Sequence, residues 1–309
     1  MKNSLSILIP TYNQICLELV KSLQAQAMSL PSLDYEILVA DDGSTNLSTV
    51  EANKGIDALP QCRYIIRSHN VGRAAIRNFL AQQAQYDWLL FIDSDMTVRK
   101  SNYLYLYLTY INDLQLDREH LRKAPQGIDI LYGGYTIAYA QSDTLRYLFE
   151  SKSPQNADYR LRLANPFQDF HTSNFLVRRD VMLRYPLDKR FKQYGYEDVL
   201  WGKDLKEKGI LIQHVDNPLS MESFETNRGF IEKTEESLRT LYRFQKDLAG
   251  YSKLLKTANR LKKLIFVYPL IKGAYPLISL HLKARLTYQK PKIFWFNIYK
   301  LIYFIHLAA

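Results

Sequence analysis

The segment WLLFIDSD at residues 88–95 constrains the fold most, because five apolar residues run directly into Asp93-Ser94-Asp95. Such a run is typical of a strand buried on both faces, as strands of a parallel sheet are. Two carboxylates at the end of a buried strand are costly unless a cation or hydrogen-bond donors compensate them. The segment therefore predicts a buried strand that ends in an acidic pair at one edge of a sheet.

Three further segments have the composition of short strands, and segments with helical periodicity separate them. The strand-like segments are SLSILIP at 4–10, YEILVA at 35–40 and RYIIRS at 63–68. Apolar residues recur on one helical face over residues 19–28 and 74–84. Strands that alternate with helices favour an α/β fold with a mostly parallel sheet and right-handed crossovers.

Polar residues follow three of these strands where each strand ends. They are Thr11-Tyr12-Asn13, Asp41-Asp42-Gly43 and Asp93-Ser94-Asp95. Ligands of open α/β sheets bind beyond the carboxyl ends of the strands, so we expect these groups to lie along one rim. An aromatic ring and several carboxylates favour a nucleotide with a divalent metal over a bare anion.

Five motifs occur in an order and spacing that resemble family 2 glycosyltransferases with the GT-A fold. They are SILIPTYN, ILVADDGST, HNVGRAAIRN, FIDSD and GYEDVLWGKDL, within about residues 4–245. The resemblance implies a Rossmann-like, mostly parallel nucleotide-binding sheet flanked by helices, and a nucleotide-sugar-dependent, inverting enzyme. It assigns nucleotide-sugar binding to residues 1–99, and acceptor binding and catalysis to residues 100–247.

In this resemblance Asp93-Ser94-Asp95 is the DxD motif, whose second carboxylate contacts a metal ion while the first reaches ribose or a bridging water. Asp95 and Asp93 are therefore candidate metal ligands. Hard oxygen ligands favour Mg²⁺ or Mn²⁺, which retain water and bind diphosphate. Taken alone, the pair could equally be a turn at a strand end with solvated carboxylates.

The resemblance also implies which residues bind the nucleotide. Asp42 would accept a hydrogen bond from uracil N3–H, a proton that cytosine lacks. The base pocket would come from Pro10, Thr11 and Tyr12, whose ring offers a stacking face, and Asn13 would also bind the nucleotide-sugar. An ordinary polar turn or helix cap is the alternative for the Asp41-Asp42 pair.

Arg77 and Gly72 belong to the HNVGRAAIRN motif. Arg77 would meet the diphosphate or the DxD carboxylates, or form a structural salt bridge that holds its helix. Gly72 would permit a tight turn beside the nucleotide.

Glu197 and Asp198 begin a segment that predicts a helix over residues 197–208, followed by the stop Gly209. Inverting transfer needs a base that takes the proton of the acceptor hydroxyl. The resemblance assigns this role to Asp198 and makes Glu197 a residue that places the acceptor. Acidic residues also favour a helix N-terminus for electrostatic reasons alone.

One position departs from the family pattern. Similar bacterial enzymes have a metal-binding His three residues after an Asn-Pro pair, whereas Asn217-Pro218 leads here to Met221. A thioether is a poor ligand for a hard cation. The departure predicts a looser metal site, a replacement ligand such as His214 or Glu222, or an inactive protein, and we favour the first.

The positive charge is concentrated at the end of the chain. The formal net charge is +10, yet residues 248–309 hold eleven Lys or Arg and no acidic residue, so residues 1–247 carry −1. Basic residues interleaved with aromatic ones predict a helical extension at an anionic membrane surface. Helices that pack on the catalytic body are the alternative, and no nucleic-acid motif accompanies the charge.

Cys16 and Cys62 have no metal-binding spacing, which favours a reducing compartment, and the N-terminus does not resemble a secretory signal. We therefore expect a cytoplasmic enzyme, peripheral on the inner face of a bacterial membrane. It would be a metal-dependent hexosyltransferase that moves a sugar from a UDP-sugar to a saccharide or lipid-linked saccharide, in surface polysaccharide or glycolipid synthesis.

The sequence leaves two alternative functions to compare with this one. A catalytically silent, membrane-attached nucleotide-binding protein is the first alternative, because Met221 departs from the pattern. A nucleotidyltransferase is disfavoured, because the sequence has no glycine-rich triphosphate loop.

Overall fold

A computed structural model describes residues 3–120, 128–137, 143–153, 158–264, 267–288 and 290–307. Within these residues the strands are β1 Asn3–Thr11, β2 Leu33–Asp41, β3 Cys62–Ile66, β4 Trp88–Ile92, β5 Met96–Thr97, β6 Ile130–Tyr132, β7 Tyr135–Ile137, β8 Asn174–Arg178, β9 Ile212–His214 and β10 Leu219–Met221. The helices are α1 Leu17–Met28, α2 Leu47–Asn53, α3 Arg73–Gln83, α4 Tyr103–His120, α5 Leu145–Glu150, α6 Tyr159–Arg162, α7 Arg179–Arg184, α8 Glu197–Glu207, α9 Asn227–Arg243, α10 Lys253–Lys262, α11 Val267–Tyr288 and α12 Ile293–Leu307.

The larger sheet has the strand order β3-β2-β1-β4-β8-β6-β9. The four neighbouring strands β3, β2, β1 and β4 run parallel to one another, and β6 runs parallel to β9. Strand β8 runs antiparallel to its two neighbours, β4 and β6. The predicted mostly parallel α/β sheet is therefore confirmed. Strand β4 lies between β1 and β8, and all five of its residues are buried.

Hydrophobic residues fill both faces of this sheet, because alternate residues of a strand point to opposite sides. On β4, Leu89 and Phe91 join one cluster, while Leu90 and Ile92 join the other. Continuous apolar sequence in β4 is thus explained by helices that cover the sheet on both sides.

A small sheet holds the turn that follows β4. It has the order β5-β10-β7, and Met96 of β5 lies opposite Met221 of β10. Both methionines are buried in one hydrophobic cluster. The residue that departs from the family pattern therefore packs beside the DxD turn.

The C-terminal helices share the hydrophobic core of the body. Phe296 and Phe304 of α12 are buried in the cluster that also contains Phe91 of the central strand. Arg239 of α9 donates a hydrogen bond to the Tyr303 hydroxyl at 2.6 Å. The packing alternative is thus what the structure shows for α12.

Helix α11 presents an apolar face to solvent. Four large residues of this face are 71–82% exposed, namely Leu270, Leu277, Leu280 and Tyr288. Their spacing places them on one side of the helix. Among the described residues, every helix is either too short or too polar to cross a lipid bilayer.

Candidate active site

A cleft of about 480 Å³ lies at the carboxyl ends of β1, β2 and β4. Nine residues that the sequence analysis singled out line it: Pro10, Thr11, Tyr12, Asp42, Gly72, Arg77, Asp93, Ser94 and Asp95. The strand alternation predicted this convergence, since parallel strands end at one edge of the sheet.

Asp42 organises the loop that leads into α3. One carboxylate oxygen accepts a hydrogen bond from the Val71 N–H at 2.9 Å, and the other accepts from the Gly72 N–H at 3.0 Å. Burial raises the pKa of Asp42, although these N–H groups and the charge of Arg67 oppose the shift. Each oxygen keeps a second lone pair, so the carboxylate can hold the loop and still accept from a ligand.

Asn13 has a different task from the one predicted. Its side-chain oxygen accepts hydrogen bonds from the backbone N–H groups of Thr45 and Asn46, at 2.9 and 2.8 Å. It is not among the residues that line the cleft. Asn13 therefore holds the loop after β2 in place, because its side chain is directed to that backbone rather than to the cleft.

Gly72 allows a close approach between two segments of the cleft wall. Its φ is 92°, and a Cβ atom at this position would lie 2.8 Å from the carbonyl oxygen of Lys192. Both the left-handed backbone and the missing side chain are therefore required where α3 begins.

Arg77 contacts one of the DxD carboxylates and the backbone of its own helix. Its guanidinium is 2% exposed and forms an ion pair with Asp93, and it also donates to the carbonyl oxygen of Arg73 at 3.2 Å. It lines the cleft as well. Asp93 is therefore tied to α3 at the lining of the cleft.

Glu197 and Asp198 occupy the first turn of α8. Neither is among the residues that line the cleft, but the charge of Arg77, which does line it, acts on both carboxylates. One oxygen of Asp198 accepts from the Val199 N–H at 2.8 Å, and the other lies 3.1 Å from Nδ1 of His171. Burial would raise the pKa of Asp198, but the charge and hydrogen bond of His171 lower it. The two oxygens are thus held in a defined orientation.

Glu197 is 4% exposed, and one of its carboxylate oxygens has no hydrogen-bond partner within the described part of the chain. Burial and the neighbouring charge of Asp198 raise the pKa of Glu197, against the charges of Arg73 and Arg77. The environments of this pair therefore shift the two pKa values in opposite directions, a pattern found in catalytic carboxylate pairs.

Arginines connect the two acidic motifs. Burial would lower the pKa of Arg73, but Tyr194 and the charges of Glu197, Asp93 and Asp95 raise it. Asp93 and Asp198 also share the field of Arg77. Carboxylates that lie about a hundred positions apart in the chain therefore surround the same cations.

His214 is not available as the replacement metal ligand. Its Nδ1 accepts from the Arg162 guanidinium at 3.2 Å, and its Nε2 lies 2.8 Å from the Pro166 carbonyl oxygen. The residue is fully buried on β9, and burial lowers its pKa to about 4. Glu222 forms an ion pair with Arg99, so it too is engaged elsewhere.

The DxD residues nevertheless fit a divalent cation that arrives with a ligand. Asp93 and Asp95 line one cleft, and Asp95 is exposed to it. The surrounding cleft walls and the charge of Asp93 raise the pKa of Asp95, against the charge of Arg73. No cluster of three or more His, Cys, Asp or Glu in the described residues is placed to hold a metal. Mg²⁺ commonly uses one or two carboxylates and completes its shell with phosphates and water.

Sequence reasoning missed several cations of the cleft. The guanidinium of Arg73 lies 4.5 Å above the ring of Tyr194, and Lys192 and Lys233 also line the cleft. Arg73 could have been found, since it follows Gly72 within a recognised motif. Lys233 lies on α9, and only the tertiary fold brings it to this edge.

The chain is similar to several known proteins. Chondroitin synthase of Escherichia coli is 27% identical over 241 residues, which is 71% of this chain but only 34% of that protein, so the chain spans about a third of its length. An uncharacterized glycosyltransferase of Haemophilus influenzae is 26% identical over 212 residues, covering 68% of this chain and 76% of that one.

Solved structures show the same fold. Staphylococcus aureus TarS in complex with UDP-GlcNAc matches with a TM-score of 0.53 at 15% identity, over 99% of this chain and 91% of that chain. The Pyrobaculum calidifontis mannosyltransferase PcManGT, in complex with GDP-Man and Mn²⁺, matches with a TM-score of 0.57 at 14% identity, over 98% and 85%.

The GT-A fold predicted from the motifs is therefore confirmed. The sequence profile of glycosyl transferase family 2 matches residues 6–185, more than half of the chain, and includes β1 to β4, the DxD turn and β8. The chain belongs to glycosyl transferase family 2.

Proposed function

We propose that the chain transfers a sugar from a UDP-sugar to an acceptor hydroxyl with inversion at the anomeric carbon. The observation that carries the proposal is the arginine-centred cluster, in which Arg77 pairs with Asp93 and also acts on Asp198. Two relatives support a uridine nucleotide and a saccharide product: TarS was solved with UDP-GlcNAc, and the E. coli relative is a chondroitin synthase.

The donor diphosphate would lie among the cations of the cleft. Arg73, Lys192 and Lys233 line it beside the DxD residues. Their charges would bind the diphosphate and stabilise the negative charge that develops as the nucleotide departs. Asp95 and Asp93 would hold Mn²⁺ or Mg²⁺, which neutralises charge on the same leaving group.

Asp198 would act as the general base. Its lowered pKa keeps it ionised, and its two hydrogen-bond partners fix its orientation. It would take the proton of the acceptor hydroxyl as that oxygen attacks the anomeric carbon from the side opposite the diphosphate. Glu197, buried beside it, would help to place the acceptor.

A screen of UDP-sugars for UDP release, with an Asp198→Asn variant, tests this proposal. The variant should lose at least about 100-fold in kcat while retaining its affinity for UDP, because a base acts on the acceptor and not on the nucleotide. Asp204→Asn is the matched control, since Asp204 is an exposed residue of the same helix. Equal loss of transfer and of UDP affinity in Asp198→Asn would contradict the base role.

A catalytically silent nucleotide-binding protein remains the second candidate, because Met221 stands where similar enzymes have a metal ligand. The same screen separates the two functions. UDP binding by calorimetry without UDP release from any common donor would favour the silent protein.

We further propose that residues 248–309 attach the enzyme to an anionic membrane, at the inner face of the cell membrane. The exposed apolar face of α11 supports this, and exposed lysines lie before and after that helix. These are Lys262, Lys263, Lys290 and Lys292. Each basic residue near an anionic leaflet contributes about 1 kcal/mol. The acceptor would then be a lipid-linked saccharide of a surface polysaccharide or glycolipid.

Sedimentation with vesicles that contain phosphatidylserine tests the attachment. A Leu277→Glu/Leu280→Glu variant should lose binding, because it places two charges on the apolar face of α11. Leu47→Glu is the matched control, since Leu47 is 79% exposed on α2. Unchanged binding by the α11 variant would contradict this role for the helix.

A further inference from the structure

His171 is a titratable residue that no motif predicted, and it contacts the proposed base. It lies in the loop before β8, and its Nδ1 is 3.1 Å from Asp198 Oδ2. The His171 side chain is 39% exposed, whereas that of Asp198 is 15% exposed. The imidazole is therefore more accessible to solvent than the carboxylate that it contacts.

We infer that His171 is a positioning residue that holds the carboxylate of Asp198 in the orientation needed to take the proton of the acceptor hydroxyl. The inference rests on the proposed function, because it concerns the step in which Asp198 acts as base. Two contacts fix the carboxylate: the Val199 N–H holds one oxygen and His171 holds the other. Without the imidazole, the second oxygen would be free to rotate away from the acceptor.

The acceptor hydroxyl gives its proton to Asp198, its oxygen forms the bond to the anomeric carbon, and the bond from that carbon to the diphosphate oxygen breaks. The electron pair of the broken bond leaves with the nucleoside diphosphate. Asp198 then returns to its ionised form by releasing the proton to water.

The electrostatic surroundings of His171 favour its cationic form. Burial alone would lower the pKa of His171, but the charge and hydrogen bond of Asp198, with Glu150 and Glu197, raise it. Asp169 and His214 also interact electrostatically with the ring. The imidazolium in turn lowers the pKa of Asp198 and keeps the base ionised in mildly acidic solution.

A pH profile of kcat in three variants tests the inference. In His171→Ala the acidic limb should move upward by roughly one to three pH units, because the carboxylate loses an adjacent cation. His171→Asn should move the limb similarly but retain more activity at the optimum, since its amide can still donate to Asp198. His281→Asn is the matched control, because His281 is an exposed residue of α11. If His171→Ala lowered kcat by the same factor at every pH, with no shift of the acidic limb, the inference would be overturned.

A second measurement does not depend on turnover. NMR titration of the imidazole in the full chain should show the pKa of His171 falling in Asp198→Asn relative to the unsubstituted protein. An unchanged value would overturn the inference even if the enzyme is active. A fall in that value with no UDP release from any donor would instead refute the proposed function and leave the contact between the two residues established.

Discussion

Replacing Arg77 with Met tests whether this residue mainly holds the fold or mainly binds the ligand. Met retains the length of the side chain, so the change removes charge and hydrogen bonds more than volume. Arg77 is 2% exposed and Asp93 is 22% exposed. Removing one partner of such an ion pair costs about 3–5 kcal/mol, because the remaining charge is left uncompensated. Since Asp93 is partly solvated, we expect a cost near 3 kcal/mol.

A double-mutant cycle in urea measures this cost. Arg77→Met and Asp93→Asn should each destabilise the protein, and the double variant should be more stable than the sum of the single losses predicts. Arg178→Met is the matched control, because Arg178 pairs with Asp180 at the surface. Such an exposed pair contributes about 1 kcal/mol or less.

The affinity for UDP, measured by calorimetry on the same variants, completes the test. If Arg77 acts mainly through Asp93, Arg77→Met and Asp93→Asn should weaken UDP binding to a similar degree. A stability of Arg77→Met within about 1 kcal/mol of the unsubstituted protein, combined with at least tenfold weaker UDP binding, would refute the structural argument.

Three further outcomes are expected. Gly72→Ala should weaken UDP binding, because its Cβ would meet Lys192 at 2.8 Å, whereas Gly273→Ala has nothing within 4 Å and should not. Mn²⁺, followed by electron paramagnetic resonance, should bind much more tightly when UDP is present, because phosphates would complete its shell; equal affinity with and without UDP would contradict this. Burial lowers the pKa of Lys300 to about 8, so the unfolded chain binds more protons than the folded chain between about pH 8 and 10. As the pH rises through this range, the free energy of unfolding of the unsubstituted protein should increase relative to that of Lys300→Met. The same pH dependence of the unfolding free energy in both proteins would exclude this effect.

The central strand and its acidic end could be predicted from sequence because the signal is local. Residues 88–92 were predicted as a strand and form β4, since an uninterrupted apolar run suits only a position covered on both faces. The helix predicted over residues 197–208 is Glu197–Glu207 in the structure. Its glycine stop is equally local, because Gly209 has a φ of 71°.

The partners of the acidic residues could not be predicted, because they depend on contacts distant in the chain. His171 reaches Asp198 only because β8 inserts antiparallel between β4 and β6. No periodicity in the sequence specifies that insertion. Lys233 similarly reaches the cleft only through the packing of α9.

In the C-terminal region, amino-acid composition does not predict which helix faces are buried. Basic and aromatic residues occur throughout α11 and α12, yet α12 buries Phe296 and Phe304 whereas α11 exposes Leu277 and Leu280. Both helices carry apolar residues on more than one side, so hydrophobic content alone cannot say which side meets the core. Contacts with α9 fix the orientation of both helices, since Glu235 accepts hydrogen bonds from Lys283 of α11 and Tyr299 of α12.

The charges around the cleft suggest why nucleotide and metal binding should be linked. Asp93, Asp95 and the carboxylates of α8 already share the fields of Arg73 and Arg77. A diphosphate would add further negative charge to cations that are partly neutralised. A divalent ion would offset that addition, because the carboxylates and the diphosphate would both coordinate it. Because coupling between two ligands is reciprocal, the factor by which the metal ion tightens nucleotide binding should equal the factor by which the nucleotide tightens metal binding.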